Sequence, residues 1–231
     1  MRKLRLATLL SLLLAVVLST SCILDRFKTN RTYPVERKQY ELVFENDVIN
    51  LVSQLSNEYI CVLNGCEIRI FDLEGNEKLS RIFEHNITDL YSDYRNTYGI
   101  IMISFDNNEV ITFRYKNEEL IQIYDVTFDE NICDISFSEG IGTGIAPLSF
   151  VLLDSGELYA YGKNLSNVIS KDLGEEIIVE DPVKILDDIS LISAGCAVDK
   201  DNCVISLSSG NKTGPFSEKI TGISCFFQMT N

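Results

Sequence analysis

Five stretches of this sequence carry one pattern: FENDVINL (44–51), FEHNITDL (83–90), FDENICDI (128–135), ILDDISLI (185–192) and, more loosely, KITGISCF (219–226). In each, mostly polar or acidic residues lead to a branched apolar residue, and another apolar residue follows three positions on. The branched residues are Val48, Ile87, Ile132, Ile189 and Ile223, spaced 39, 45, 57 and 34 residues apart. Between them the chain alternates apolar with polar residues and is cut by turn residues, with no sustained helical period. EYICVL, Asn64-Gly65 and CEIRIFD form a hairpin signal, because Asn-Gly supplies the two positive-φ residues of a type I′ turn. YGIIMISF–DNN–EVITFRY, SFVLL–DSG–ELYAY and, more weakly, AVDKDNCVISL repeat the unit. A repeat of about 40–50 residues with four strands per copy predicts an all-β, propeller-like fold. One small twisted sheet cannot bury both of its faces, so successive sheets stack around an axis.

The expected fold is therefore four to five four-stranded blades in the body of the chain, 39–231. The blades are placed at about 48–86, 87–131, 132–188 and 189–222, with a shared or partial blade made from 40–47 and 223–231. Five junctions enclose four full repeats, so the expectation covers a small closed ring and an incomplete, open arc alike. An open arc leaves unpaired strand edges and tends to associate.

The segment VLLDSGELYAYGKN (151–164), with DPVKILDDISLISAG (181–195), resembles the RCC1-type repeat of regulator of chromosome condensation and of bacterial alpha-tubulin-suppressor-like proteins. The matching residues are Asp154, Gly156, Tyr159, Tyr161, Gly162, Asn164, Pro182, Val183, Ile185, Ile192, Ala194 and Gly195. The resemblance spans roughly 145–225 and implies propeller blades. Tyr161 stands where that family usually has Trp, and this chain has no Trp. Gly156 is expected to allow a turn, and Gly162 to let the chain pass close beneath an aromatic ring. The exchange-factor activity known in that family is not implied for this chain, because fold alone does not carry function.

The N-terminus reads as an export signal, residues 1–21. Three basic residues in MRKLR precede the apolar run LATLLSLLLAVVL, and STSC follows. This order is that of a secretory signal peptide, with an apolar run short of the ~20 residues of a spanning helix. Extended through Cys22 to Leu24, the run also allows an uncleaved anchor. The small residues before Cys22 resemble the lipobox of bacterial lipoproteins, which implies a lipid on Cys22. Ser19 and Ser21 equally suit an ordinary cleavage before an incidental cysteine. Residues 22–38 are then a stalk, whose stretch 23–38 holds five Lys or Arg against two Asp or Glu and favours an anionic membrane surface. Residues 39–231 hold 12 basic and 32 acidic residues, which argues against nucleic acid and also keeps an exported domain soluble.

Six further cysteines (Cys61, Cys66, Cys133, Cys196, Cys203, Cys225) include no CxxC, and His85 is the only histidine, so a zinc cluster is not expected. The default expectation is that they act as small buried apolar residues. Four N-x-S/T sequons, at Asn30, Asn86, Asn164 and Asn211, would matter only in a eukaryotic secretory route. GIGTG (140–144) leads into Pro147 and a strand rather than a helix, so it is not a phosphate cradle. Asp199, Asp201 and Asn202 resemble the start of a calcium loop but lack its glycine and distal glutamate. The tyrosines at 91, 94, 98, 159 and 161 suit strand packing or a sugar-binding surface. No nucleophile elbow and no cofactor motif occur. The function expected is non-catalytic binding by an exported, lipid-anchored, outward-facing bacterial module. Its partners are the membrane, through the lipid, and a protein or glycan. The alternatives are a carbohydrate-active propeller enzyme and an incomplete propeller fragment without an independent role.

Overall fold

The computed structural model describes residues 49–223 apart from 56, 96–97, 139–146, 165–166, 173, 175–176 and 194. All of them lie in one compact unit, Phe44–Asn231. The signal peptide, Cys22, the stalk, the glycine-rich loop, Ala194 and the partial blade from 40–47 and 224–231 fall outside the described residues.

The described chain is all-β. Sixteen strands form four antiparallel sheets, each a simple meander of four consecutive strands. The first sheet holds β1 (Ile49–Leu55), β2 (Glu58–Leu63), β3 (Glu67–Asp72) and β4 (Glu77–Ile82). The second holds β5 (Ile87–Arg95), β6 (Tyr98–Phe105), β7 (Glu109–Lys116) and β8 (Glu119–Thr127). The third holds β9 (Ile132–Phe137), β10 (Leu148–Leu153), β11 (Leu158–Lys163) and β12 (Ile178–Leu186), and the fourth holds β13 (Ile189–Ser193), β14 (Cys196–Asp199), β15 (Val204–Ser206) and β16 (Lys212–Thr213). Ile87, Ile132 and Ile189, the branched residues of the repeated junction, each open the first strand of a sheet.

Alternation along the second strands decides how the sheets stack, since successive side chains leave opposite faces. Ile101 and Ile103 of β6 join a core with Ile60, Val62, Ile68 and Ile70 of the first sheet. Their neighbours Ile100 and Met102 face the other way, into a core with Ile135, Val151 and Tyr161 of the third. On β10, Val151 and Leu153 face the second sheet, while Phe150 and Leu152 meet Ile192 and Ala197 of the fourth. The first strands run beside one another in sequence, β1 with β5, β5 with β9 and β9 with β13.

Backbone hydrogen bonds repeat with the blades. The turns between second and third strands use positive φ, at Asn64 (51°) and Gly65 (81°), Asn108 (64°), Gly156 (90°) and Asn202 (62°). Both φ values at Asn64-Gly65 are those of the expected type I′ turn. The carbonyls of Gly65, Asn108 and Gly156 accept from the following junction, at the amides of Ile87, Phe128 and Ile189, and that of Asn202 accepts from Phe216, three residues before the fifth junction. Each junction residue just before the branched one, Asn86, Asn131 or Asp188, accepts from the turn of the next blade, at Asp106, Asp154 or Lys200 (2.9, 3.0 and 2.7 Å). The acidic junctions thus place their backbone carbonyls where the neighbouring turn has amides to satisfy.

Two expectations are corrected. The close neighbour of Gly162 (φ 99°) is the carbonyl of Pro147, not an aromatic ring; a Cβ there would collide with that oxygen. Among the described cysteines, Cys61, Cys66, Cys133 and Cys203 are free thiols, but only Cys61 and Cys203 are buried as the default expected; Cys66 is half-buried, Cys133 is exposed, and Cys196 is in a disulfide.

Candidate functional site

The meander sends the turns between first and second strands, and between third and fourth, to one rim of every sheet. On that rim a cleft of about 540 Å³ opens between the first two sheets. Glu58 comes from the start of β2, Asp72 from the end of β3, Glu74 from the β3–β4 turn, and Glu118 from the β7–β8 turn. Tyr98 opens β6, Tyr115 lies near the end of β7, and Lys116 is the one lysine among the lining residues. Glu58 is half-buried and accepts a hydrogen bond from the Tyr115 hydroxyl at 3.3 Å. Loss of solvent raises the pKa of Glu58 above the usual carboxylate value, against the opposing pull of that hydroxyl and of Lys78. Burial, and then the Glu58 charge, raises the Tyr115 phenol in turn. Lys78 bridges Asp72 (3.4 Å) and Glu118 (3.5 Å). Asp72 is held below its ordinary pKa, first by the Asn76 side-chain amide. Glu118 adopts φ 62° after Asn117 at 53°, a left-handed conformation that a non-glycine residue rarely takes.

A second group of carboxylates lies on the first strands. Asp89 and Asp134 each stand two residues after the branched junction residue. First strands are sheet edges, whose outward amides lack a strand partner. Asp89 accepts from Leu90 at 2.7 Å and from the amide of Ile135 in the next blade. Asp134 does the same with Ile135 and with Ile192 of the fourth sheet. Burial is the larger influence at both. It raises Asp89, and with the Asp89 charge beside it Asp134 is pushed up to about 6. These carboxylates staple consecutive blades.

The residues named from the RCC1-type resemblance gather in the third and fourth sheets and make structure rather than an open site. Gly156 turns between β10 and β11, and Asp154 is exposed beside it. Tyr161 is fully buried, edge-on to Tyr124 at 5.5 Å. Tyr159 packs edge-on against Phe128 at 5.4 Å. Asn164 is fully buried: its amide donates to the carbonyls of Ser170 and Gly174, and its oxygen accepts from Ile169 and Ser170. Pro182, Val183 and Ile185 lie on β12, where Ile185 packs onto the core that holds Ile192. Gly195 (φ 85°) leads into β14.

The segment of Asp199, Asp201 and Asn202 is the hairpin turn between β14 and β15, closed by the Asn202 amide on the Asp199 carbonyl at 3.0 Å. The carboxylate of Asp199 holds the Lys212 ammonium at 2.6 Å and caps the Cys203 amide, and Asn202 spends its side chain on the 216–220 segment. Among the described residues no cluster of three metal-ligating side chains occurs. His85 faces Asp106 at 3.6 Å, away from any nucleophile pattern. Tyr91 packs edge-on against Phe137, so of the described tyrosines considered for a sugar surface only Tyr98 reaches the cleft. Tyr94 lies on β5, and its side chain is outside the described set.

No protein-family model matches the chain, and no curated protein matches it. Among solved structures, the WD40 domain of SCAP from fission yeast superposes with a TM-score of 0.52 at 11% identity, over 74% of this chain and 42% of that one. The fold is that of a β-propeller. The fission yeast SREBP–SCAP binding domains align at a TM-score of 0.49 and 13% identity, over 74% and 50% of the two chains. Human WBSCR16 aligns at 0.46 and 7%, over 68% and 46%. The chain spans half or less of the length of these structures.

Proposed function

We propose that this chain is a non-catalytic binding module, exported and held at a membrane by a lipid on Cys22, whose cleft between the first two blades takes a cationic segment of a protein partner. The observation that carries this reading is the make-up of the cleft. Glu58, Asp72, Glu74 and Glu118 line it against Lys116 and against Lys78, which bridges Asp72 and Glu118, so the acids still exceed the lysines by two; Tyr98 and Tyr115 add aromatic surface. Carboxylates in a concave site focus a negative field, and tyrosine faces favour cations. The same field repels phosphate, in keeping with a partner that is not a nucleic acid. Export is supported by the basic, apolar and small-residue order of the leader and by the disulfide at Cys196, since such bonds persist in oxidising compartments. An RCC1-type origin for the third and fourth blades is supported by the spacing of Gly156, Gly162, Asn164 and Gly195.

The test is binding of a peptide of alternating Lys and Gly to the purified chain at low and at physiological salt. Glu58→Gln with Glu118→Gln should weaken binding about tenfold, and added salt should weaken the wild type more than the variant. Equal binding by both proteins rejects the cleft. Glu118→Gly adds a sharper readout. It should raise stability by about 1 kcal/mol by relieving the left-handed glutamate, while lowering peptide affinity.

One observation favours a second reading, a carbohydrate-active enzyme. Glu58 is a carboxyl of raised pKa beside other carboxylates, the pattern of a general acid. Turnover of cell-wall glycans that Glu58→Gln abolishes would move the assignment to that class.

A further inference from the structure

We propose that the second and third blades enclose a water site, in which one buried water molecule bridges the hydroxyls of Thr112, Ser149 and Tyr161. These oxygens come from two different sheets, so the water ties one blade to the next.

Register brings the hydroxyls to one gap. Thr112 of β7 lies opposite Met102 of β6 and Tyr124 of β8, and both of those residues pack in the core shared with the third sheet. Residues opposite one another on paired strands share a face, so Thr112 faces the third sheet too. Ser149 of β10 lies between Phe137 of β9 and Tyr161 of β11, which pack in that same core. Ser149 therefore faces the second sheet. Tyr161 crosses the gap and meets the ring of Tyr124 edge-on at 5.5 Å.

Burial gives the cluster its demand for a ligand. Thr112, Ser149 and Tyr161 are fully buried. Among the described residues, none of their hydroxyl oxygens has a hydrogen-bond partner, and neither has that of Tyr124. Buried hydroxyls are strongly disfavoured without a partner, and an ordered water is a common one. The three oxygens are nevertheless near one another. Burial raises the pKa of the Tyr161 phenol, and the hydroxyls of Thr112 and Ser149 act against that rise. Groups this near, but out of direct hydrogen-bonding geometry, are spaced for a bridging molecule. Hydroxyls elsewhere in the fold do bond directly: Thr88 with Ser104 at 2.9 Å, and Ser53 with Ser92 at 2.6 Å.

The surroundings select the ligand. A buried water needs two to four polar partners, and three hydroxyls supply them, each able to donate once and to accept. Met102, Phe137 and Val151 are buried in the same core and leave the site sealed to anything larger. The charges of Asp125, acting on Tyr161, and of Glu180, acting on Tyr124, are negative and oppose an anion.

The experiment is a high-resolution crystal structure of the full chain, read together with water-oxygen relaxation dispersion in solution. The expected density is a single peak about 2.8 Å from the oxygens of Thr112, Ser149 and Tyr161. Two results overturn the proposal: hydroxyls bonded to one another with no peak between them, or an oxyanion held by Arg114, which lies two residues beyond Thr112 on β7 and has a buried Nε without a partner. In solution, the combined variant Thr112→Val, Ser149→Ala and Tyr161→Phe should hold one long-lived water fewer than the wild type. An unchanged number of long-lived waters in that variant also overturns the proposal. The density test uses the wild-type chain, so it decides the matter even if the triple variant does not fold.

Discussion

Asp134 shows how one position serves both the blade repeat and the pH response. Its carboxylate completes the amides of Ile135 and Ile192, but it does so half-buried and next to Asp89, and its pKa rises to about 6. The folded state therefore favours the protonated acid. This stabilisation is fully present below about pH 4, where the unfolded chain is protonated too, and is lost as the pH rises to about 6. Asp134→Asn keeps a carbonyl acceptor and removes the charge. We expect it to stabilise the fold by about 1–2 kcal/mol at pH 7, discounted for solvent screening, and by nothing near pH 4. Urea unfolding of both proteins at the two pH values checks this; a gain that does not depend on pH would assign the effect to packing. The position was legible in the sequence, two residues after Ile132 in a repeated segment. Its role was not, because the amide of Ile192 comes from another blade, far along the chain.

At the scale of elements, the third blade depends on the segment that follows β11. Gly162 lets that strand pass the Pro147 carbonyl, and Asn164 then ties down the chain through Ile169, Ser170 and Gly174. Ile169 is carried into the core between the third and fourth sheets by this clamp. Asn164→Ala would orphan buried backbone groups and should cost about 2–4 kcal/mol. Amide exchange should accelerate first at Ile169 and Ser170 and not at β2 or β6. The internal use of Asn164 also removes it from the glycosylation sites that a folded protein can offer. Glycine and asparagine at fixed spacing announce such a segment in a sequence, since few other residues meet those backbone demands. The burial of Asn164 and the identity of its four partners follow only from the folded path.

At the scale of the whole molecule, every described sheet shares a core with its neighbour. Phe113 is fully buried between the first and second sheets, and Phe150 between the third and fourth. Neither core is private to one blade, so the unit should unfold as one. Phe113→Ala and Phe150→Ala should each cost about 3–5 kcal/mol and move a single, shared transition. Calorimetry that resolves two transitions, each answering to one variant, would show independent halves.

Periodicity and turn chemistry were enough to read an all-β chain in four-stranded units, with junctions at Ile87, Ile132 and Ile189. Both are local properties: alternation sets which face a residue takes, and Asn or Gly sets where a strand reverses. The cleft was invisible at that level. Glu58 and Glu118 lie on different blades, and among 34 acidic residues nothing local marks these two. Stacking one sheet against the next brings the two carboxylates to one rim and withdraws solvent from Glu58. A raised pKa and a concave surface are properties of that packing, so they exist only once the chain is folded.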